Sequence, residues 1–372
     1  MSTQPITLAG LRRYAVTRSL FKPCALEHAI KKLGYLQADP IRAPARAQDL
    51  ILRHRVIDYR VEDLEKNYAA LPLIEDSIYN YGFFHRDELA LLHPRKMSAR
   101  WQKFMAEHAS QRRKVLRYLA EHAEAHPREI EKSLSIGMHI NGWGGSSSVT
   151  TMLLEGLHRE GKAHVCRREA GIRVYAVAPK FERTFTLSPS ARADGLIRLI
   201  INLYAPLPLR TLMQFARVMG ASRPSVDYVA RVKLMIKSCE QRSETIDHVT
   251  YVWPVSELLP EIVEDKVRLL APFDPVVWDR IRFEHFWGWP YRFEAYTPLA
   301  KRIRGYYALP LLWRDSVIGW GNVTVDHDNN LTVKIGYAAK KPARGDAAIF
   351  KRELDAEIER LRGFLLGRDN AG

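Results

Sequence analysis

The spacing of apolar residues between positions 110 and 178 predicts three helices followed by a hairpin. "QRRKVLRYLAEHAEAH" and "PREIEKSL" are typical of two helices, the second with Pro127 in its first turn. After a glycine-rich turn at 142–145, apolar residues from Val149 to Leu157 recur at helical spacing until Gly161. "KAHVCRR" and "IRVYAV" then predict two strands joined by a tight turn. This order of elements, with a basic ribbon last, is that of a winged helix.

The same pattern recurs more loosely on both sides of this segment. Residues 191–255 contain three helical stretches, the third with Ser222 as its predicted cap, and then a strand-like run, "IDHVTYVWPV". "LAGLRRYAVTRS" and "ALEHAIKKLG" suit two helices of an N-terminal copy, whereas the aromatic, β-rich end closes with one long helix. We therefore predict an α+β fold, with tandem winged-helix (helix-turn-helix) modules and a C-terminal β-rich α+β domain. The predicted boundaries are 1–105, 106–185, 186–265 and 266–372.

The charge of the chain indicates the class of partner. Lys and Arg number 57 against 42 Asp and Glu, which gives a formal net charge of +15. Such a surface attracts polyanions, above all nucleic acids, although a basic protein without that partner remains the alternative. Winged helices likewise either contact DNA or serve as protein-interaction scaffolds. The candidate DNA contacts in the modules are Ser146, Ser147, Arg167, Arg168 and Arg223, and a solvated helix face is the alternative for the cations.

Cysteine usage and apolar runs indicate the cellular compartment. The three cysteines are far apart and odd in number, so they form neither a disulfide framework nor a metal-ligand pair. No apolar run approaches the ~18 residues of a membrane span, and the first residues lack the pattern of a secretory signal. We therefore expect a cytoplasmic protein, associated with the bacterial nucleoid, that uses no metal or cofactor and requires no membrane.

The stretch "LGYLQADPIRAPARAQDL" contains the main candidate for chemistry, Asp39. An Asp before Pro40 fits a helix N-cap followed by proline at the first helical position. The alternative is a carboxylate that faces a substrate. Arg42 and Arg46 would lie one helical turn apart, either facing phosphates or forming an ordinary solvated basic face.

Four stretches carry a resemblance to a known family. "LGYLQAD", "RAPARAQDLILRHRV", "LLAPFDPVVWDR" and "YTPLAKRIRGYYALPLLWRDSVIG" resemble the winged-helix DNA glycosylases of the YcaQ-like family, which repair alkylated and crosslinked DNA. The resemblance implies that Gln37 and Asp39 are a catalytic Gln-x-Asp pair, the form that goes with crosslink unhooking and with tolerance of N7-alkylpurines. It also brings Lys301 and Arg302 into the expected DNA interface. Residues 74–89, "IEDSIYNYGFFHRDEL", depart from the Glu-Tyr-Trp-x-His-like stretch usual in the family.

The chemistry implied by this resemblance needs few groups. A purine alkylated at N7 is cationic and leaves as a neutral base, so only one carboxylate is required, whereas ordinary glycosidases use two. Asp39 would accept the proton of a water and face the oxocarbenium charge, and Gln37 would orient that water. The expected protein is a monofunctional DNA N-glycosylase that acts on double-stranded DNA as a monomer. The alternative is a non-catalytic winged-helix DNA-binding protein or transcriptional regulator, with Asp39 only a cap.

Overall fold

The computed structural model describes residues 6–140, 146–179, 187–257, 262–338 and 341–367, in which helices and short strands mix as expected for an α+β protein. The helices are α1 (Leu8–Ser19), α2 (Leu26–Leu33), α3 (Ala47–Leu52), α4 (Asp63–Asn67), α5 (Leu89–Leu92), α6 (Ala99–Glu107), α7 (Ala109–Glu121), α8 (Pro127–Leu134), α9 (Val149–Arg159), α10 (Pro189–Tyr204), α11 (Leu209–Ser222), α12 (Tyr228–Lys237), α13 (Arg280–Trp287) and α14 (Ala347–Leu366). Among the helices in these ranges, none has the length and apolar character needed to cross a bilayer.

The strands are short, and those in the sheets described below pair antiparallel. They are β1 (Tyr35–Gln37), β2 (Leu73–Ser77), β3 (Tyr81–His85), β4 (Glu124–Ala125), β5 (Met138–Ile140), β6 (Ser146–Ser148), β7 (Ala163–Glu169), β8 (Ile172–Val177), β9 (Leu207–Pro208), β10 (Gln241–Ile246), β11 (Val249–Pro254), β12 (Val267–Leu269), β13 (Leu309–Trp313), β14 (Ser316–Val325) and β15 (Leu331–Tyr337).

The chain folds into two compact units, each assembled from separate segments. The first unit comprises Met1–Asp63, Arg198–Gln214 and Val232–Gly372. The second unit comprises Leu64–Ile197 and Phe215–Arg231. The four modules drawn along the sequence are a different kind of division, and they stay a prediction.

In the second unit, the helices and the hairpin predicted between residues 110 and 178 are confirmed. α7, α8 and α9 are followed by the β7–β8 hairpin, and the short strand β4 completes a sheet of order β4-β8-β7. Pro127 begins α8 behind a capping box formed by His126 and Glu129, because a proline needs no amide partner in the first turn. The glycine-rich turn at 142–145 lies outside the described residues. That this set of elements is a winged helix stays a prediction.

The helices of the 191–255 segment agree with their predictions except at one boundary. Ser222 was predicted to cap the third helix, but it is the last residue of α11, and its hydroxyl donates to the carbonyl of Met219. α12 begins later, at Tyr228, where Asp227 accepts hydrogen bonds from the amides of Val229 and Ala230. The Ser222 prediction was wrong because both residue types favour N-caps and the sequence alone did not choose between them.

The C-terminal part of the first unit is built on an antiparallel sheet of order β12-β13-β14-β15. α14 contacts this sheet through Glu357, which is fully buried and accepts hydrogen bonds from the amide of Leu269 at 2.9 Å and from Arg53 at 2.6 Å. The segment "HFWGWPYRF" contributes to a buried aromatic cluster. Members of that core cluster include Val16, Leu20, Leu270, Val276, Phe283, Trp289, Tyr291 and Leu312.

A fully buried ion pair holds the N-terminal helices of the first unit. Arg55 and Asp274 are both 0% exposed and meet in two hydrogen bonds, at 2.8 and 3.0 Å. The same guanidinium donates to the carbonyl of Ser19 at the end of α1 and to that of Ile51 in α3. Asp274 belongs to "LLAPFDPVVWDR", so this stretch has a structural role, which is to fix α3 in place.

Candidate active site

Gln37 and Asp39 lie at the end of the buried strand β1. Gly34 ends α2 with a φ of 73°, a conformation that favours glycine, and β1 follows at once. Both Gln37 and Asp39 are buried, at 7% and 9% exposure, whereas Ala38 between them is partly exposed. Both side chains of the predicted pair are therefore largely withdrawn from solvent where this strand ends.

Asp39 does not cap a helix, and that alternative is wrong. The backbone from Ala38 to Arg46 is irregular, and α3 begins only at Ala47. The Oδ1 atom of Asp39 accepts a hydrogen bond from the amide of Ile41 at 2.9 Å, which closes a turn two residues long. Arg42 and Arg46 likewise do not lie one helical turn apart, because no helix connects them.

The backbone of Asp39 is also fixed from α3. Its amide donates to the Oε1 atom of Gln48 at 3.2 Å, and Gln48 is 4% exposed. Every residue of α3 is buried, so the side chain of Gln48 is supported by a packed helix. Gln48 lies in the stretch that the sequence analysis quoted, but no role was predicted for it. It positions Asp39 through the backbone.

One oxygen of the Asp39 carboxylate is left for chemistry. Among the described residues, none donates a hydrogen bond to Oδ2, and this atom is not one of the fully buried unsatisfied ones, so it keeps contact with solvent. Burial raises the pKa of Asp39, and the amide of Ile41 opposes that rise. A carboxylate that is poorly solvated is a stronger base than one in free water. The arrangement suits proton abstraction.

Gln37, two residues before Asp39 in the sequence, has a side-chain oxygen that can accept a hydrogen bond. Its Oε1 is buried and accepts no hydrogen bond from any residue in the described part of the chain. A buried polar atom without a partner destabilises the fold by about 1–3 kcal/mol, so such atoms are usually satisfied by water, an ion or a substrate. Gln37 is thus suited to hold a water or a substrate hydroxyl.

Tyr307 is a site residue that the sequence analysis missed. It is 4% exposed, and burial, followed by the negative charge of Asp39, raises the pKa of its phenol well above the ordinary value. Its hydroxyl is buried and has no hydrogen-bond partner among the described residues. Tyr307 therefore stays neutral, and its hydroxyl can donate a hydrogen bond. No local signal connects positions so far apart in the sequence.

A second buried carboxylate, Asp49, lies behind the site in α3. It accepts hydrogen bonds from the hydroxyl of Tyr59 at 2.7 Å and from the amide of Glu62 at 3.3 Å. Burial raises its pKa from 3.8 to about 6, and the charge of Arg46 opposes that rise. Arg42 is exposed and pairs with Glu62, with 3.1 Å between Nη1 and Oε1. Both hydrogen bonds are accepted by the Oδ1 atom of Asp49.

Two of the predicted DNA contacts are engaged inside the second unit. Arg168 forms two hydrogen bonds of 2.6 Å with Glu75, whose side chain is fully buried. Arg223 is 4% exposed and donates to the carbonyl of Leu92 at 2.9 Å. We leave both residues out of the proposed DNA interface, because freeing either guanidinium would leave a buried group unsatisfied.

The remaining predicted contacts are nearer the surface. Arg167 is partly exposed on β7 and pairs with Glu124 and Glu169, at 2.8 and 3.0 Å. Lys301 is exposed, and Arg302 lies over the ring of Tyr306 with 5.0 Å to its centroid. The backbone of Ser146 and Ser147 belongs to β6, and their side chains lie outside what the structure describes. Within the described ranges, no cluster of His, Cys, Asp or Glu side chains is arranged to hold a metal ion.

Comparison with known proteins places this chain in a family. The family model described as DNA glycosylase AlkZ-like matches residues 30–364, a range that includes Gln37, Asp39 and Tyr307. The solved structure of the Streptomyces sahachiroi DNA glycosylase AlkZ is similar, with a TM-score of 0.62 over 97% of this chain and 98% of that chain. The two sequences are 13% identical, so this likeness concerns the fold.

Proposed function

Because the chain belongs to the AlkZ-like DNA glycosylase family, we propose that it hydrolyses the N-glycosidic bond of N7-alkylated purines in double-stranded DNA, with Asp39 and Gln37 as catalytic residues. As a member of that family it is a DNA glycosylase, and its partner is DNA. The observation that carries the finer proposal is the Asp39 carboxylate, which is fixed at one oxygen and leaves the other for a water.

The proposed reaction uses the charge of the damaged base. The bond between C1′ of the sugar and N9 breaks, and its electrons neutralise the cationic purine as it leaves. Asp39 faces the positive charge that develops on the sugar and takes a proton from the attacking water, while the water oxygen bonds to C1′. The Oε1 atom of Gln37 accepts a hydrogen bond from the same water and orients it. The product is an abasic site.

The same hydrolysis applies to interstrand crosslinks. It ends with an abasic site, without cleavage of the DNA strand. An interstrand crosslink through N7 of two purines contains two cationic bases, so hydrolysis at either sugar unhooks the strands. A carboxylate forms no Schiff base, and we therefore propose a monofunctional enzyme, acting as a monomer. This proposal rests on the Gln-x-Asp pair and on the environment of Asp39.

The test is base release under single-turnover conditions. The substrates are duplexes with one N7-methylguanine or one nitrogen-mustard interstrand crosslink, and abasic sites are revealed by alkaline cleavage. A positioned general base contributes roughly 10²–10⁴-fold, so Asp39→Asn should lower the rate by at least about 10². Gln37→Ala removes one hydrogen bond of about 1.4 kcal/mol and should lower it roughly tenfold.

The matched control is Asp49→Asn, the same substitution at the other buried carboxylate of this segment. It should keep the wild-type rate, and all variants should bind an undamaged duplex with wild-type affinity. Absence of base release by the wild-type protein from both substrates would refute the proposed function. A wild-type rate in Asp39→Asn would refute the assignment of the site.

A further inference from the structure

The first unit exposes an unusual set of apolar side chains in one loop. Residues 294–306, here called the apolar loop, include Tyr296 at 79%, Leu299 at 79%, Ile303 at 77% and Tyr306 at 43% exposure. Single exposed apolar residues are common, but a group of large ones on a short segment marks a binding surface. The function proposed above does not use these four side chains.

The loop has a defined structure in spite of this exposure. Glu294 is 5% exposed, and its Oε2 accepts hydrogen bonds from the amides of Ile303, Arg304 and Gly305, at 2.9, 2.8 and 3.2 Å. The carboxylate therefore closes the loop at its base, with charge-assisted bonds that are stronger than neutral ones. The backbone that carries the apolar side chains is therefore held in one conformation.

Further hydrogen bonds hold the interior of the loop. The Nε atom of Arg302 donates to the carbonyl of Thr297 at 2.8 Å, and Asn322 of β14 donates to the carbonyl of Arg304 at 2.8 Å. Leu299–Lys301 form one turn of 3-10 helix. The loop is already ordered in the free protein. Binding a partner therefore does not cost the conformational entropy of ordering this loop.

The apolar loop is connected to the candidate active site. The ring of Phe293 lies 6.0 Å from that of Tyr296 and 5.1 Å from that of Tyr307. Tyr307 in turn is the buried tyrosine whose pKa is raised by burial and by the negative charge of Asp39. Tyr296 of the apolar loop thus belongs to an aromatic group that includes Tyr307.

The charge of the loop indicates what it binds. Lys301 is exposed between the apolar residues, and the guanidinium of Arg302 lies over Tyr306. Apolar side chains alternating with cations fit a nucleic-acid duplex, because the cations meet phosphates while apolar groups enter between bases. A protein surface that covers apolar residues needs no such cations.

We infer that the apolar loop is a wedge that enters the DNA duplex beside the lesion, with Leu299 and Ile303 separating stacked bases and the tyrosines stacking on the bases that are uncovered. Unstacking frees the damaged nucleotide to reach Asp39, which a base inside an intact stack cannot do. This inference rests on the proposed function and deepens it, because it assigns how the duplex is opened.

The experiment follows base unstacking directly, without cleavage. The probe is a duplex that contains N7-methylguanine on a 2′-fluoroarabino sugar, which resists hydrolysis, with 2-aminopurine as its neighbour. The wild-type protein should raise the 2-aminopurine fluorescence on binding. The double variant Leu299→Ser with Ile303→Ser should abolish that rise and weaken binding about tenfold, the size expected for lost base contacts.

Matched variants distinguish insertion of the apolar side chains from the effect of the loop's positive charge and from loss of folding. Ile262→Ser makes the same substitution at an apolar residue that is 83% exposed elsewhere in the first unit, and it should behave as wild type. Lys301→Gln should lower the slope of log affinity against log salt by about one, whereas the apolar double variant should leave the slope unchanged.

Three results would overturn the inference, and they are distinct from failure of the proposed function. One is a full fluorescence rise in the apolar double variant, and another is an equal loss in Ile262→Ser. The third is a change in the sedimentation of the double variant with unchanged fluorescence, which would make the loop a contact between copies of the chain. The proposed function is judged separately, by release of N7-methylguanine from an ordinary duplex by the wild-type protein.

Discussion

Asp39 and Asp49 are two buried carboxylates on one short segment, and the proposed function gives them different roles. Burial raises the pKa of both. Asp49 receives hydrogen bonds from the hydroxyl of Tyr59 and the amide of Glu62, both on Oδ1. Asp39 receives one, from Ile41, and its other oxygen keeps contact with solvent. The two carboxylates therefore differ in the number of hydrogen bonds that Oδ1 accepts, two in Asp49 and one in Asp39.

Asp49 gives a prediction on stability at this scale. Its pKa is raised from 3.8 to about 6, so the folded state holds this proton more tightly than the unfolded state. The stabilisation is fully present below pH 3.8 and is lost as the pH rises through about 6. Asp49→Asn carries no charge, and at pH 8 it should unfold with a free energy about 3 kcal/mol above that of wild type.

The measurement is urea unfolding of both proteins at pH 8 and at pH 4.5. The gain should be large at pH 8 and should shrink toward pH 4.5, because there the wild-type carboxyl is mostly protonated when folded. A gain that is independent of pH, or a loss at pH 8, would contradict the stated cause of the pKa shift.

Among the elements, α3 depends on a buried ion pair for its position. Arg55 and Asp274 are fully buried, and Arg55 also donates to Ile51 in α3, the helix that carries Gln48. Removing one partner leaves an uncompensated buried charge. Asp274→Ala should therefore lower the free energy of unfolding by roughly 3–5 kcal/mol.

The control is Asp265→Ala, which removes an exposed partner of Arg314 in the same unit. Pairs of this kind contribute about 0–1 kcal/mol, so the change should be small. Thermal and urea unfolding measure both variants. Equal effects of the two substitutions would show that the buried pair does not fix α3.

Elements with local signals were predictable from the sequence, and those that depend on distant contacts were not. α1, α2 and α14 follow their apolar spacing, and α8 follows Pro127, because caps and periodicity act within a few residues. The segment after Asp39 looked like a helix start, yet α3 begins at Ala47. Pro44 interrupts that segment, and a proline removes a helical hydrogen bond and disfavours the helical conformation of the residue before it.

The candidate site was predictable only in part. The Gln37–Asp39 pair came from a resemblance, and its roles stay a prediction. Gln48 and Tyr307 were missed because their relation to Asp39 is made by folding and not by spacing. Arg168 and Arg223 were chosen for their charge, but charge does not reveal that Glu75 and a carbonyl already engage them.

At the scale of the whole molecule, the surplus of 57 basic over 42 acidic residues governs association with DNA. A protein that neutralises ~6–10 phosphates loses about 10³–10⁵ in affinity between 50 and 200 mM salt. We expect a loss of this order for an undamaged duplex, measured by fluorescence anisotropy across that range. Affinity that hardly responds to salt would show that the net charge is not what draws this protein to DNA.

The most direct test of the account is the pH dependence of the single-turnover rate of N7-methylguanine release. Asp39 must be ionised to accept a proton, and burial raises its pKa above the ordinary 3.8. The rate should therefore fall on the acid side through one ionisation whose midpoint lies above that value, and Asp39→Asn should abolish both the limb and most of the rate. An identical acid limb in Asp39→Asn, or a rate that does not change with pH in the wild-type protein, would contradict the account.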